Sequence, residues 1–360
     1  MGDNPESAPP PAPAPRSRRP ARPKTDPANL PDEQLLDLRF CDLAISLDYP
    51  PLARCIARLH GELEAHGILF RPECYLADEW LCPDREPVIG IPFYLAHPRL
   101  RALEMKIMLE VEGGDERERM MLLRHECGHA LNYAYRLYRR PRWRELFGPF
   151  SADYPDRYKY RPYSKRFVRH LQGWYAQYHP DEDFAETFAV WLTPRSQWAQ
   201  RYRGWEALGK LEYVDRLVRS LAARPPAKPT GEKLWDIARL KTTLRTHYKR
   251  KRSFYAEDYT DFHDPYLRRI FSGDPDPEAL PAAPLLRRHR KTVADHVCRF
   301  TGEKKYIVHS VLKDLTARAA ELNLTVRPDN ETDALLKLTA YCATLAMNYL
   351  HTGTFRKEKT

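Results

Sequence analysis

"RHECGHALNY", residues Arg124–Tyr133, carries two histidines four positions apart, with a glutamate directly after the first. In an α-helix, positions i and i+4 share a face, so His125 and His129 can turn both imidazoles towards one ion. Glu126 lies about 100° around the helix from His125. That is too far to bind the same ion comfortably but near enough to reach a water beside it, as a general base must. Cys127 falls about 200° round, on the opposite side, and is excluded as a ligand. Gly128 has no side chain beside His129, which suits close packing against a neighbouring element. With thirteen histidines in 360 residues, a chance match to so short a motif has odds of about a few per cent. The plain alternative is a helix that happens to hold two histidines. A catalytic zinc takes three protein ligands and keeps one open position, so the question is whether a third ligand exists.

"HPDEDFAETFAVWLTP", His179–Pro194, supplies candidates. Glu182 and Glu186 are again i and i+4 on an expected helix. One carboxylate can bind the ion, and the other can accept a hydrogen bond from the second nitrogen of a ligand histidine. Asp181 and Asp183 are explained by a helix N-terminus, which favours acids. Glu186 is not, because it sits within an apolar helix, where a metal would stabilise its ionised form.

Working outward, Leu52, Cys55, Ile56, Leu59 and Leu63 make one helical stripe ending at Gly67. "ILFRP" and "CYLADEW" read as short strands, and "PVIGIPFYLAHP" as a better one, made an edge strand by Pro92. "RLRALEMKIMLEV" reads as a helix broken by Gly113-Gly114. The motif helix should start at an Asp115 cap, with Glu116 and Glu118 in its first turn, and run to about Tyr138. Further helices are expected over "YRGWEALGKLEYVDRLVRSLAA" and "EKLWDIARLKTTLRTHYKRKRSFYA", and throughout the last 75 or so residues. The resulting division is a disordered Pro/Ala/Arg-rich tail over 1–30, a main α+β domain over 31–272, a Pro-rich linker over 273–284 and a helical C-terminal module over 285–360.

The chain is 42% hydrophobic and has a net charge of +10. It contains no apolar run long enough to cross a membrane, and its N-terminus lacks the apolar core of a secretory signal. Seven cysteines without a CxxC pair read as reduced thiols of a cytoplasmic protein. Between Arg139 and Arg169 ten residues are Lys or Arg, interleaved with tyrosines. This stretch reads as a solvated loop with local ion pairs, or as a basic rim beside the metal cleft that would favour acidic substrates or nucleic acid. His247, His289, His296 and His309 lack ligand spacing. His179 reads as packing at the start of its helix.

HExxH followed by a downstream ExxxE helix resembles the gluzincin arrangement of zinc peptidases. "EDFAETFA" is similar to the corresponding helix of the anthrax lethal factor group. Together with "RHECGHAL" it looks like a family of zinc-binding metallopeptidases known from bacterial genomes. The resemblance covers much of residues 40–270. It implies a zincin-like domain in which a small edge-stranded sheet packs on the HExxH helix, and whose edge strand, here "VIGIPFYL", holds an extended peptide by backbone pairing. It further implies Zn2+ bound by His125, His129 and Glu182. Glu186 then orients a ligand histidine; in the swapped order it would be the ligand itself. Tyr175, seven residues before Glu182, matches a tyrosine that supports the tetrahedral intermediate, and Tyr178 is its competitor. The function so implied is hydrolysis of peptide bonds in a peptide or protein substrate by metal-activated water, with Glu126 as the general base. The alternatives are hydrolysis of a non-peptide amide, or a basic non-catalytic binding protein on the same fold.

Overall fold

The computed structural model describes residues 24–154, 161, 164–254, 263–273 and 276–352. The chain runs through α1 (Asp32–Asp37), α2 (Pro50–Ala65), β1 (Glu73–Ala77), β2 (Val88–Pro92), α3 (Pro98–Met108), α4 (Glu116–Ala134), α5 (Pro141–Phe147), α6 (Pro180–Leu192), α7 (Trp198–Arg201) and α8 (Ala207–Leu221). It continues with α9 (Leu244–Phe254), α10 (Asp264–Ile270), β3 (Leu280–Pro281), α11 (Ala282–Thr301), α12 (Lys305–Glu321), β4 (Thr325–Val326) and α13 (Glu331–Thr352). The architecture is α+β: helices carry two small two-stranded sheets, β1-β2 and β3-β4.

α4 begins where its cap dictates. The Asp115 side chain accepts the Glu118 N–H, and Glu116 and Glu118 sit on the positive end of the helix. The helix is buried almost throughout its second half. It ends at Ala134, earlier than expected, because Arg136 turns left-handed at φ 51° and starts a 3-10 turn at Leu137–Arg139. α6 opens with Pro180 in its first turn and the His179 ring accepting the Asp181 N–H, so His179 is a cap. α4 and α6 lie antiparallel in close contact. A Cβ added at Gly128 would stand 2.7 Å from the Ala185 Cα, which makes the glycine a condition of this approach.

β1 and β2 pair in parallel with Tyr75 opposite Gly90, and β2 rests against α4. β2 is an edge of this two-stranded sheet, but its free side is covered at one point. On its other side Leu81 exchanges two backbone hydrogen bonds with Gly90, at 2.8 and 3.3 Å, and all five β2 residues are buried. Residues 68–72, expected as a strand, form none, and β2 stops at Pro92, where a 3-10 turn over Phe93–Ala96 takes over. α3 ends at a left-handed Leu109 rather than at Gly113. Of the helix expected over 232–256, only Leu244–Phe254 forms; residues 255 and 256 lie outside the described residues. Tertiary pairing overrides propensity there, since Ile237 N–H bonds to Leu76 O at 3.0 Å and Asp236 bridges Ala77.

Among the described residues two large apolar clusters form, beside a small one of Tyr75, Ala77 and Val88. The first joins Leu59 of α2, Ile89 of β2, Leu123 and Cys127 of α4, and Phe184 and Phe188 of α6. The second joins Leu267, Leu286, Leu312 and Leu338 of α10–α13. Within the stretch expected as a linker, Leu280-Pro281 pair with Thr325-Val326 and α11 starts at Ala282; residues 274 and 275 lie outside the described residues. Of the expected tail, residues 1–23 lie outside the described residues, while Thr25 pairs with the chain at 42–44. No described helix is long and apolar enough to cross a membrane.

Candidate metal centre

Helical spacing puts His125 and His129 on one face of α4, and antiparallel packing sets the first turns of α6 against that face. Three atoms meet there. His125 Nε2 and His129 Nε2 are 3.1 Å apart, and Glu182 Oε2 is 3.1 Å from each. Tetrahedral ligands at zinc distances of about 2.0–2.1 Å stand about 3.3–3.4 Å from one another, so the triangle is close to the required size. Glu182 Oε2 is the oxygen common to both imidazoles. Glu186 instead places Oε1 2.9 Å from His125 Nδ1, and its Oε2 accepts the Leu171 N–H at 2.9 Å.

His129 has a matching partner that the sequence reading missed. Its Nδ1 is 2.8 Å from Asp181 Oδ2, and Asp181 is held in turn by Tyr133 Oη at 2.5 Å and Asn132 Nδ2 at 2.7 Å. As a residue of the first helical turn, Asp181 was fully explained by the helix dipole, and no spacing rule links it to His129. Asp183 was explained in the same way. It is in fact buried against Lys210 Nζ at 2.5 Å, with burial pushing its carboxyl up to about 7.

Whether a cation fits follows from the donor set. A carboxylate cannot donate, so each Nδ1 donates, and both Nε2 lone pairs face each other and a third acceptor. Three buried acceptors at this distance require positive charge among them. Proton affinity points the same way. Burial pulls the His125 imidazole down, but Glu182 and Glu186 outweigh it and hold the group up at about 10; Asp181 and Glu182 likewise raise His129. The same imidazoles hold the Glu182 carboxyl below its usual range, although burial opposes this. His125, His129 and Glu182 could therefore hold a metal ion.

A cavity of about 430 Å³ opens beside these atoms, and Glu126 and Tyr175 both line it. Burial pushes the Glu126 carboxyl up, and its side chain makes no hydrogen bond among the described residues. The Tyr175 ring lies 5.5 Å from that of His125 and stacks on Tyr178, which does not line the cavity. Tyr154, which no motif marked, donates to Glu182 Oε1 at 3.0 Å and stacks on His179 at 4.1 Å. Trp80, Leu81 and Cys82, the segment that covers β2, also face the cavity. Cys127 is on the core side, as its helical angle requires.

The chain matches a known family in this region. Residues 110–201 match the family model described as "Putative zinc-binding metallo-peptidase". The match spans α4 and α6, and with them every atom of the candidate centre; it is narrower than the stretch 40–270 that the resemblance covers. No curated protein and no solved structure matches the chain.

The basic rim, the second of the two readings of 139–169, is not formed by the described residues of that stretch, although Arg85 lines the cavity. Of residues 139–169, those facing it are Phe150 to Tyr154, which include Asp153 and no basic residue. Residues 155–160, 162 and 163 lie outside the described residues.

Proposed function

We propose that this chain is a zinc-dependent peptidase on a zincin-like domain. The observation that carries the reading is the convergence of His125 Nε2, His129 Nε2 and Glu182 Oε2, with each imidazole held from behind by its own carboxylate. Zinc bound there would polarise a peptide carbonyl and lower the pKa of water. Glu126 takes the proton of the attacking water and passes it to the leaving amine; its raised proton affinity suits a group that must accept and release within one turnover. Glu186 and Asp181 fix the tautomer and orientation of His125 and His129. The Tyr154 hydroxyl is committed to Glu182. Tyr175, whose hydroxyl makes no hydrogen bond among the described residues, is the donor available to a developing oxyanion. The same reading makes a peptide or protein the substrate.

The test is Glu126→Gln, assayed for metal content and for cleavage of a peptide library. The expected result is unchanged zinc stoichiometry with hydrolysis reduced by about 10²–10⁴-fold. A variant that cleaves like the wild type would remove the catalytic reading.

A further inference from the structure

We infer that a second cavity, at the other end of the α4–α6 pair, binds a small organic phosphate. It measures about 550 Å³, within the size range of small-molecule sites. It lies where the N-terminal half of α4 meets the C-terminal end of α6, bounded also by α2, α7 and residues 169–170. Five arginines line it (Arg58, Arg117, Arg124, Arg169 and Arg201) against one glutamate, Glu116.

Part of this charge is already answered. Buried Arg124 grips Glu62 through two hydrogen bonds at 2.7 and 2.8 Å, and Arg58 reaches Glu62 at 3.1 Å and Glu116 at 3.3 Å. Arg117 and Arg201 pair with no carboxylate among the described residues, and both are exposed. The lining therefore carries excess positive charge, contributed by residues far apart in sequence. The guanidinium fork matches phosphate oxygens, and a phosphate monoester brings close to two negative charges where a carboxylate brings one.

The floor distinguishes this cavity from a solvated basic face. Met120, Met121, Val190 and Pro194 supply apolar surface beside the guanidiniums, so a ligand with a carbon body as well as an anionic head fits the lining. The walls are also fixed. His170 Nε2 bonds to Met121 O at 2.9 Å, tying the 169–171 segment to α4, and Glu62 anchors Arg124. Nothing in the peptidase reading uses these arginines.

The experiment is calorimetric titration of the full chain at constant ionic strength with inorganic phosphate, AMP and glucose 6-phosphate. At least one ester should bind one-to-one, with inorganic phosphate competing for the same site; which ester binds tells whether the body is a nucleoside or a sugar. The doubly substituted R117Q/R201Q chain should bind tenfold more weakly or worse, while its unfolding temperature without ligand stays unchanged, since both side chains are exposed. Absence of saturable binding by all three probes would overturn the inference. So would failure of inorganic phosphate to compete, or a loss of less than tenfold in the double variant. Phosphate captured by the metal centre falls under the last outcome, because it would survive the arginine substitutions.

Discussion

The two ends of the α4–α6 pair treat charge in opposite ways. At the metal end, Asp181, Glu182 and Glu186 are buried, and each has imidazole, phenol or amide partners within 3.1 Å. At the arginine end, Arg117, Arg169 and Arg201 are exposed. Burial makes an unpaired charge costly, so the first end must be complete to exist at all, and its side chains are held in one geometry. At the second end Glu62 and Glu116 answer Arg124 and Arg58, while Arg117 and Arg201, exposed and without a carboxylate among the described residues, are answered by water.

Breaking the pairing beside the buried end should have the largest effect. Lys210→Met leaves Asp183 buried without its cation, and should cost about 3–5 kcal/mol of stability, read by urea unfolding. The Asp183 carboxyl is already raised by burial to about 7, above its usual value, so the folded state favours its proton. The loss should therefore be smaller at pH 5 than at pH 9. Equal losses at both would show that Asp183 is not the group left stranded.

Gly128→Ala comes next. The new methyl meets Ala185 backbone, which cannot swing aside, and the expected cost is about 1–3 kcal/mol in thermal unfolding. A neutral result would mean that the helices separate freely and that the metal end is less rigid than its contacts imply. Asp181→Asn should weaken zinc binding by about 10–100-fold in competition with a chelator, with stability far less affected. Retained affinity would mean that Tyr133 and Asn132, rather than Asp181, hold the His129 ring. The smallest effect is expected at the arginine end, where Arg117→Gln should shift stability by no more than about 0.5 kcal/mol. A larger shift would show that Arg117, too, is paired within the protein.

Much of the buried end was legible. The i, i+4 pair in "RHECGHALNY" placed both imidazoles on one face, the Asp115 cap fixed where that helix starts, and Gly128 announced a close neighbour. The apolar surroundings of Glu186 marked it as needing a partner, and His125 Nδ1 is that partner. Other features were not legible. The acids of the first α6 turn had a sufficient local explanation, which hid the roles of Asp181 and Asp183. β2 reads as an edge strand because Pro92 lacks an N–H, yet a segment before it in sequence folds back so that Leu81 covers Gly90. The basic stretch 139–169 left a solvated loop and a basic rim both open, and of its described arginines only Arg169 lines either cavity, the one at the other end of the helix pair.

What the sequence by itself determined is whatever depends on residues one helical turn apart: the two-histidine face, the glutamate beside it, and the acidic helix that could supply a further ligand. Backbone periodicity fixes those relations before any tertiary contact forms. Only the tertiary structure decided which glutamate oxygen stands against both imidazoles, which acid supports His129, and where five arginines spread from Arg58 to Arg201 come together. Those outcomes depend on the antiparallel registration of α4 on α6, set by the Gly128–Ala185 contact and by the loops that return the chain, and no local pattern encodes that registration.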